Sequence, residues 1–415
     1  MLSVVLLLNV GLTVADPELI YIQSVWRHGA RTPIETYPTS PYQEEAWPVT
    51  WGEVTPLGMD QMYKQGVKLK EEYVDKYQLV SPNYHKTQTY VQSSDSSRAL
   101  ISAYAAMTGF YSGSRGTYPD TEDWPTGWTP IPVHAVATKN EFMLQVNNNC
   151  PRRKQLLGET YNRKEIRDVM NKNKNFLDTL RQQSKYEIDD LEDVFGFSDT
   201  LKIEKQYNMT LPAWITGDIY NKTQTLGLES FDCIYGGAAF GLPENKEMVR
   251  LTSGVLITQI LKNIEEKING TNEYLYHAYS AHDTTLSGLL RTLGAKQALL
   301  GHNLTDYGAT VVIELWKLFI DTYGIKVRYS ANVESPIDTI TDKVAGCGKA
   351  EFCPLQTFVE NRKDYIVNNI TESCEMKNTI GPVKTRPVNQ QKPKDATSLS
   401  LASIVVVCIG YILSL

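Results

Sequence analysis

The sequence predicts an α/β fold: a mainly parallel sheet flanked by helices, with an inserted helical domain. Two observations carry this. Three apolar runs, over residues 19–26, 87–92 and 274–279, each end in a polar turn and lead into a helical pattern. Between the second and third, residues 151–237 are mainly helical in pattern, charge-rich and with apolar residues at helical spacing. Strand–loop–helix units of this kind build a sheet with helices on its faces, and a helical stretch that interrupts them reads as an insertion beside it.

The elements follow in chain order. Residues 2–14 are apolar and end in Thr13-Val14-Ala15, small residues suited to signal peptidase, so residues 1–15 are expected to be a signal peptide. Residues 19–26 read as a buried strand that ends at Arg27-His28-Gly29. Thr55 then caps a helix with Pro56 in its first position. Its apolar stripe is Leu57, Met62, Val67 and Leu69, continuing to Tyr73. Residues 87–92 alternate as a short strand; Ser93-Ser94-Asp95 is the loop before a helix over 97–110. In the insertion, residues 152–185 and 211–235 carry the helical pattern. Residues 274–279 form the third strand and 284–293 its helix, closed by Gly294. Residues 310–317 and 325–329 read as an antiparallel hairpin turning around Asp321-Thr322-Tyr323-Gly324.

The folded unit is expected to span residues 16–380, and the Pro- and Lys-containing residues 381–398 read as a linker. Residues 399–415 are apolar. As a helix they reach about 25 Å at ~1.5 Å per residue, slightly short of a bilayer core of ~30 Å. A single transmembrane helix with the bulk of the chain outside the cytosol is the expectation, and a GPI-attachment signal is the alternative.

The 415 residues carry a net charge of −6. This mild acidity argues against a nucleic-acid binder, which would show a basic face. Arginines that cluster in the sequence therefore mark a local site. Six cysteines behind a signal peptide suggest disulfides. Cys347 and Cys353, flanked by Gly348 and Pro354, are spaced to close a small loop, and Cys408 lies in the tail. Spacing alone leaves the partners of Cys150, Cys233 and Cys374 open. Sequons at Asn208, Asn221, Asn269, Asn303 and Asn369 fit a glycosylated ectodomain.

The chemistry is concentrated at the ends of the strands. His28 stands between Arg27 and Arg31 in Val25-Trp26-Arg27-His28-Gly29-Ala30-Arg31-Thr32-Pro33. Guanidinium forks grip phosphate through paired hydrogen bonds, and a neutral histidine between them can attack phosphorus. Gly29 is read as letting the backbone approach the anion. The third unit ends in Tyr279-Ser280-Ala281-His282-Asp283, which joins a histidine to a carboxylate able to act as an acid. The second contributes Arg98 in the first turn of its helix. In open α/β sheets that edge is where ligands bind, and helix N-termini there favour anions. Phosphate-ester chemistry is the reading. Three arginines can neutralise the phosphate oxygens, so no metal or other cofactor is expected.

These stretches resemble the histidine acid phosphatase family of the prostatic and lysosomal type. The likeness rests on VWRHGARTP at 25–33, WPVTWGEVTPLGM at 47–59, SSDSSRALISA at 93–103 and YSAHDTTLSGL at 279–289, and runs from about Leu19 to Cys374. It implies a phosphoglycerate mutase-like α/β core with a helical cap near 151–237. It implies His28 as nucleophile and Asp283 as proton donor, with Arg27, Arg31, Arg98 and His282 binding phosphate. It further implies disulfides Cys150–Cys374 and Cys347–Cys353, no third disulfide, and Cys233 as a buried free thiol. The substrate class implied is the small phosphate monoester. A phytase-like phosphatase and a catalytically silent surface-binding protein on the same scaffold are the rival functions, and a homodimer is left open.

Overall fold

The computed structural model describes residues 16–146 and 149–377. The expected signal peptide, linker and transmembrane helix fall outside these residues. Among the described residues, no helix is long and apolar enough to cross a membrane.

Strand β1 (Glu18–Arg27) leads to helix α1 (Pro56–Lys70), then β2 (Thr89–Ser94), α2 (Ser97–Phe110) and the short β3 (His134–Val136). Five helices follow: α3 (Pro151–Tyr161), α4 (Lys164–Lys172), α5 (Lys174–Ser184), α6 (Leu191–Gln206) and α7 (Gly217–Ile234). The long α8 (Lys246–Ile268) returns the chain to β4 (Tyr276–Ala281), α9 (Asp283–Thr292) and α10 (Lys296–Leu300). Strands β5 (Thr310–Phe319), β6 (Thr322–Ser330), β7 (Asp338–Thr339) and β8 (Cys353–Pro354) complete the sheet.

The strand order is β3-β2-β4-β1-β5-β6-β7, with β8 also on β6. The sheet is mixed. Pairing is parallel among β3, β2, β4 and β1 and antiparallel from β1 through β5, β6 and β7. The register brings the motifs at the strand ends together. Arg27 lies opposite Ala281, and Ser93 lies opposite Ser280. Three parallel strands therefore end side by side, and each passes directly into a motif loop.

Both faces of β1 are covered. Tyr21 and Val25 pack with Ile257, Ile260, Leu286 and Leu289 of α8 and α9. Ile22 and Trp26 pack with Met62 and Leu69 of α1 and Ala103 and Met107 of α2. Burying a large apolar side chain contributes about 1.5–3 kcal/mol, so the two layers of contacts fix where each strand ends. Helices α5 and α6 join residues of the insertion into a core of their own, with Leu177, Leu180, Val194, Phe197 and Leu201 around Tyr37. Tyr37 comes from the chain just after β1, and this ties the insertion to the site. Near the end of α7 Asp232 is buried against Arg291, Lys296 and His302. Its Oδ1 is 2.7 Å from Lys296 Nζ. A buried ion cluster of this kind is costly to break, because a lone charge would remain in the interior.

Several boundaries differ from expectation for identifiable reasons. Thr55 caps α1 by accepting a hydrogen bond from the Gly58 amide, but Leu57, placed on the apolar stripe, is 52 % exposed. Gln65 and Gly66 are buried instead, because α1 packs closely on α2. Ser93 and Ser94 are strand rather than loop: they complete the ladder with β3. The sulfurs of Cys150 and Cys374 are joined, as are those of Cys347 and Cys353. Cys233 is free and buried, and burial pushes its thiol up to about 12, which leaves it unreactive. All five sequon asparagines are exposed.

Candidate active site

His28 is the first residue beyond β1, and its amide still bonds the Ala281 carbonyl at 3.0 Å. The side chain is 2 % exposed. Its Nδ1 lies 2.8 Å from the Gly29 carbonyl oxygen. A carbonyl only accepts, so Nδ1 carries the proton and the neutral ring keeps its lone pair on Nε2. Burial, then the charges of Arg98 and Arg27, hold this imidazole well below the usual histidine range. It stays neutral, hence nucleophilic, in acid.

The turn after His28 is kept tight by helix packing. A β-carbon on Gly29 would fall 2.1 Å from the Gly58 carbonyl oxygen, and one on Gly58 would fall 2.2 Å from that of Ala30. The two glycines let the first turn of α1 press onto the motif. The missing β-carbon of Gly29 therefore serves the approach of α1. The Gly29 amide donates to Ser102 Oγ at 3.1 Å, and the Ala30 amide to Gln61 Oε1 at 2.9 Å.

Three guanidinium groups surround His28. Arg27 Nη2 is 2.7 Å from Asp283 Oδ2, Nη1 donates to the Thr305 carbonyl at 2.6 Å, and the group stands 4.2 Å from the Tyr307 ring centre. Arg31 Nη2 donates to Asp199 Oδ2 at 2.9 Å and Nη1 to its neighbour's Thr32 carbonyl at 3.1 Å. Arg98 Nη2 lies 3.5 Å from His282 Nδ1. Burial beside Arg31 brings the Arg98 guanidinium down to about 10, the mark of cations crowded together. In all three arginines the Nε–H is buried and has no partner among the described residues. Such buried donors are costly to leave open, and an anion with several acceptor oxygens would satisfy them.

His282 caps α9 and leans on Ser94, with Nε2 2.8 Å from the serine Oγ. Since Arg98 can only donate to Nδ1, Nε2 carries the proton. Burial and Arg98 lower this histidine to about 3, so it is a neutral donor. Asp283 is the first residue of α9; its Oδ1 accepts from the Thr284 amide at 2.7 Å. Burial alone would raise its carboxyl, but Arg27 and Arg31 outweigh that and hold it below the usual range. Among the described residues, no group of three or more His, Cys, Asp or Glu side chains is arranged to hold a metal ion.

All six site residues named from the sequence converge here. The sequence did not point to Tyr307, Ser94 or two residues of α6, Asp199 and Lys202. Lys202 is partly buried and feels the charges of Arg27, Asp306, Asp199 and Asp283. The α6 pair carries no motif and sits far from the strands in sequence.

A family model described as the histidine phosphatase superfamily (branch 2) matches residues 18–332. The chain belongs to this superfamily. Bovine prostatic acid phosphatase is 31% identical over 367 residues, 88% of this chain and 89% of that protein. Human lysosomal acid phosphatase is 30% identical over 390 residues, 92% of this chain and 87% of that one. Among solved structures, the Hafnia alvei phytase in complex with myo-inositol hexakis sulphate superposes with a TM-score of 0.63 at 15% identity, covering 88% of this chain and 100% of that one. At that identity the phytase shares the fold. Superfamily and relatives together make the chain an acid phosphatase.

Proposed function

We propose that the protein hydrolyses small phosphate monoesters through a phosphohistidine on His28. The observation that supports this most is the group of three open arginine Nε–H donors around an imidazole whose Nε2 lone pair is free. Phosphate binds to Arg27, Arg31, Arg98 and His282. The His28 Nε2–phosphorus bond forms as the ester phosphorus–oxygen bond breaks, and Asp283 gives its proton to the leaving oxygen. Water then attacks phosphorus, the Nε2–phosphorus bond breaks, and Asp283 takes up the water's proton. Aligned groups and prepaid charge neutralisation supply most of the rate gain.

Asp283 is a carboxylate in the free site, yet the first step needs it protonated. The substrate brings that proton. A monoester loses its second proton near pH ~6. The monoanion hands its proton to Asp283 on binding, since a phosphate dianion occupies the arginines and repels the carboxylate. kcat/KM should therefore peak below pH ~6 and fall on the alkaline side with the second pKa of the ester. The acid side falls only when His28 protonates, well below its ordinary value. Profiles for several esters of differing second pKa test this; an alkaline limb that stays put across the series contradicts it.

The relatives named prostatic and lysosomal acid phosphatase support an extracytosolic setting, as do the exposed sequons and two disulfides. Residues 1–15 as signal peptide and 399–415 as a single transmembrane helix complete this reading. Phosphatidylinositol-specific phospholipase C should leave surface phosphatase activity on the cells. Release of activity into the medium would replace the helix with a lipid anchor.

A further inference from the structure

Asp199 has no part in the phosphoryl transfer described above, yet it holds one of the arginines that does. Its Oδ2 is 2.9 Å from Arg31 Nη2, with side-chain exposures of 12% and 5%. Three residues further along α6, on the same face of the helix, is Lys202. Two other acids act electrostatically on cations of the site. Asp306 is exposed beside Tyr307 and within electrostatic reach of Lys202, and Glu53 is within reach of Arg98. Arg31 thus pairs with a carboxylate, and Arg98 and Lys202 each lie in the field of one.

We propose that Asp199 is a specificity-determining residue: from α6 it orients Arg31 and, with Asp306 and Glu53, makes an acidic collar that admits a single phosphate monoester and rejects polyphosphorylated alcohols. This rests on the monoester phosphatase reading and names its substrate class. The reasoning is electrostatic. A simple monoester carries its negative charge on the transferring group, deep among Arg27, Arg31 and Arg98. A polyphosphorylated alcohol places its further phosphates outward, where the collar stands. Like charges repel more strongly in a partly buried site than in open water, and less so as salt is added. Asp199 is the member of the collar that touches a phosphate-binding arginine, so its charge matters most.

The test compares phenyl phosphate with myo-inositol hexakisphosphate as substrates, and uses myo-inositol hexakissulfate as a non-hydrolysable competitor, on the full-length enzyme. Asp199→Asn keeps an oxygen for Arg31 and removes the charge. The ratio of kcat/KM for the hexakisphosphate to that for phenyl phosphate should rise on the order of tenfold, and hexakissulfate should inhibit correspondingly more tightly, with the gain shrinking at high salt. A ratio that stays constant while both substrates slow overturns the proposal, leaving Asp199 as a support for Arg31. Asp306→Asn, on an exposed turn, should move the ratio several-fold the same way; no change there overturns the collar even if the Asp199 variant does not fold. Failure of the function itself reads differently: the unaltered enzyme would then not hydrolyse phenyl phosphate at all, while direct binding of hexakissulfate to enzyme and variants would still report the charge selection.

Discussion

Replacing His28 with alanine is expected to lower turnover on the order of 10⁴-fold or more and to abolish the phosphoenzyme. The physical reason is the absence of a substitute among its neighbours. His282 lies with its ring centre 5.5 Å from that of His28. Its Nε2 carries a proton and bonds Ser94, and its Nδ1 faces Arg98. It has no free lone pair aimed at the phosphate. The arginines remain in the variant, so inorganic phosphate should still bind and protect it against unfolding. Retained phosphate binding with lost turnover is the pattern that separates a missing nucleophile from a collapsed site. Turnover close to that of the unaltered enzyme would remove His28 from the mechanism.

The second large effect concerns Asp283. Asparagine keeps the shape and the contact with Arg27 but has no proton to give. Esters of poorly leaving alcohols should slow by about 10²–10⁴-fold, the usual size of a lost general acid. Activated aryl esters, whose leaving groups depart as anions, should slow much less in the bond-breaking step. KM should not rise, because the change keeps the contact but removes the carboxylate charge that competes with phosphate for Arg27. Steady-state kinetics across a leaving-group series checks this. Equal slowing for all esters would make Asp283 a structural partner of Arg27 and nothing more.

Much of this site was legible in the sequence because its residues sit where strands end. Arg27 and His28 follow β1, His282 and Asp283 follow β4, and Arg98 begins the helix after β2. Local pattern locates strand ends, and parallel pairing does the rest. Asp199 was not legible. It meets Arg31 across 168 residues, and only the packing of the insertion on Tyr37 brings α6 there. Helix α8 was missed for a different reason. It buries Val249, Leu251, Ser253, Leu256, Ile260 and Asn263 on more than one face, and the mixture of polar and apolar buried residues blurs the stripe that marks an amphipathic helix. Strand β3 has three exposed residues and no apolar run, so only its partner β2 defines it. Gly29 shows the same limit at finer scale: its need for glycine comes from α1, a neighbour the local sequence does not reveal.

The most direct test of the central claim is the location of the covalent phosphate. Enzyme mixed with phosphate-labelled monoester is quenched within milliseconds into alkaline detergent, which preserves phosphorus–nitrogen bonds, and the labelled peptide is mapped by mass spectrometry. The expected result is label on Nε2 of His28, in a quantity approaching the number of active sites when the second step is limiting, and none in the His28→Ala enzyme. Label on any other residue, or rapid turnover in unaltered enzyme with no covalent phosphate at any quench time, would contradict it.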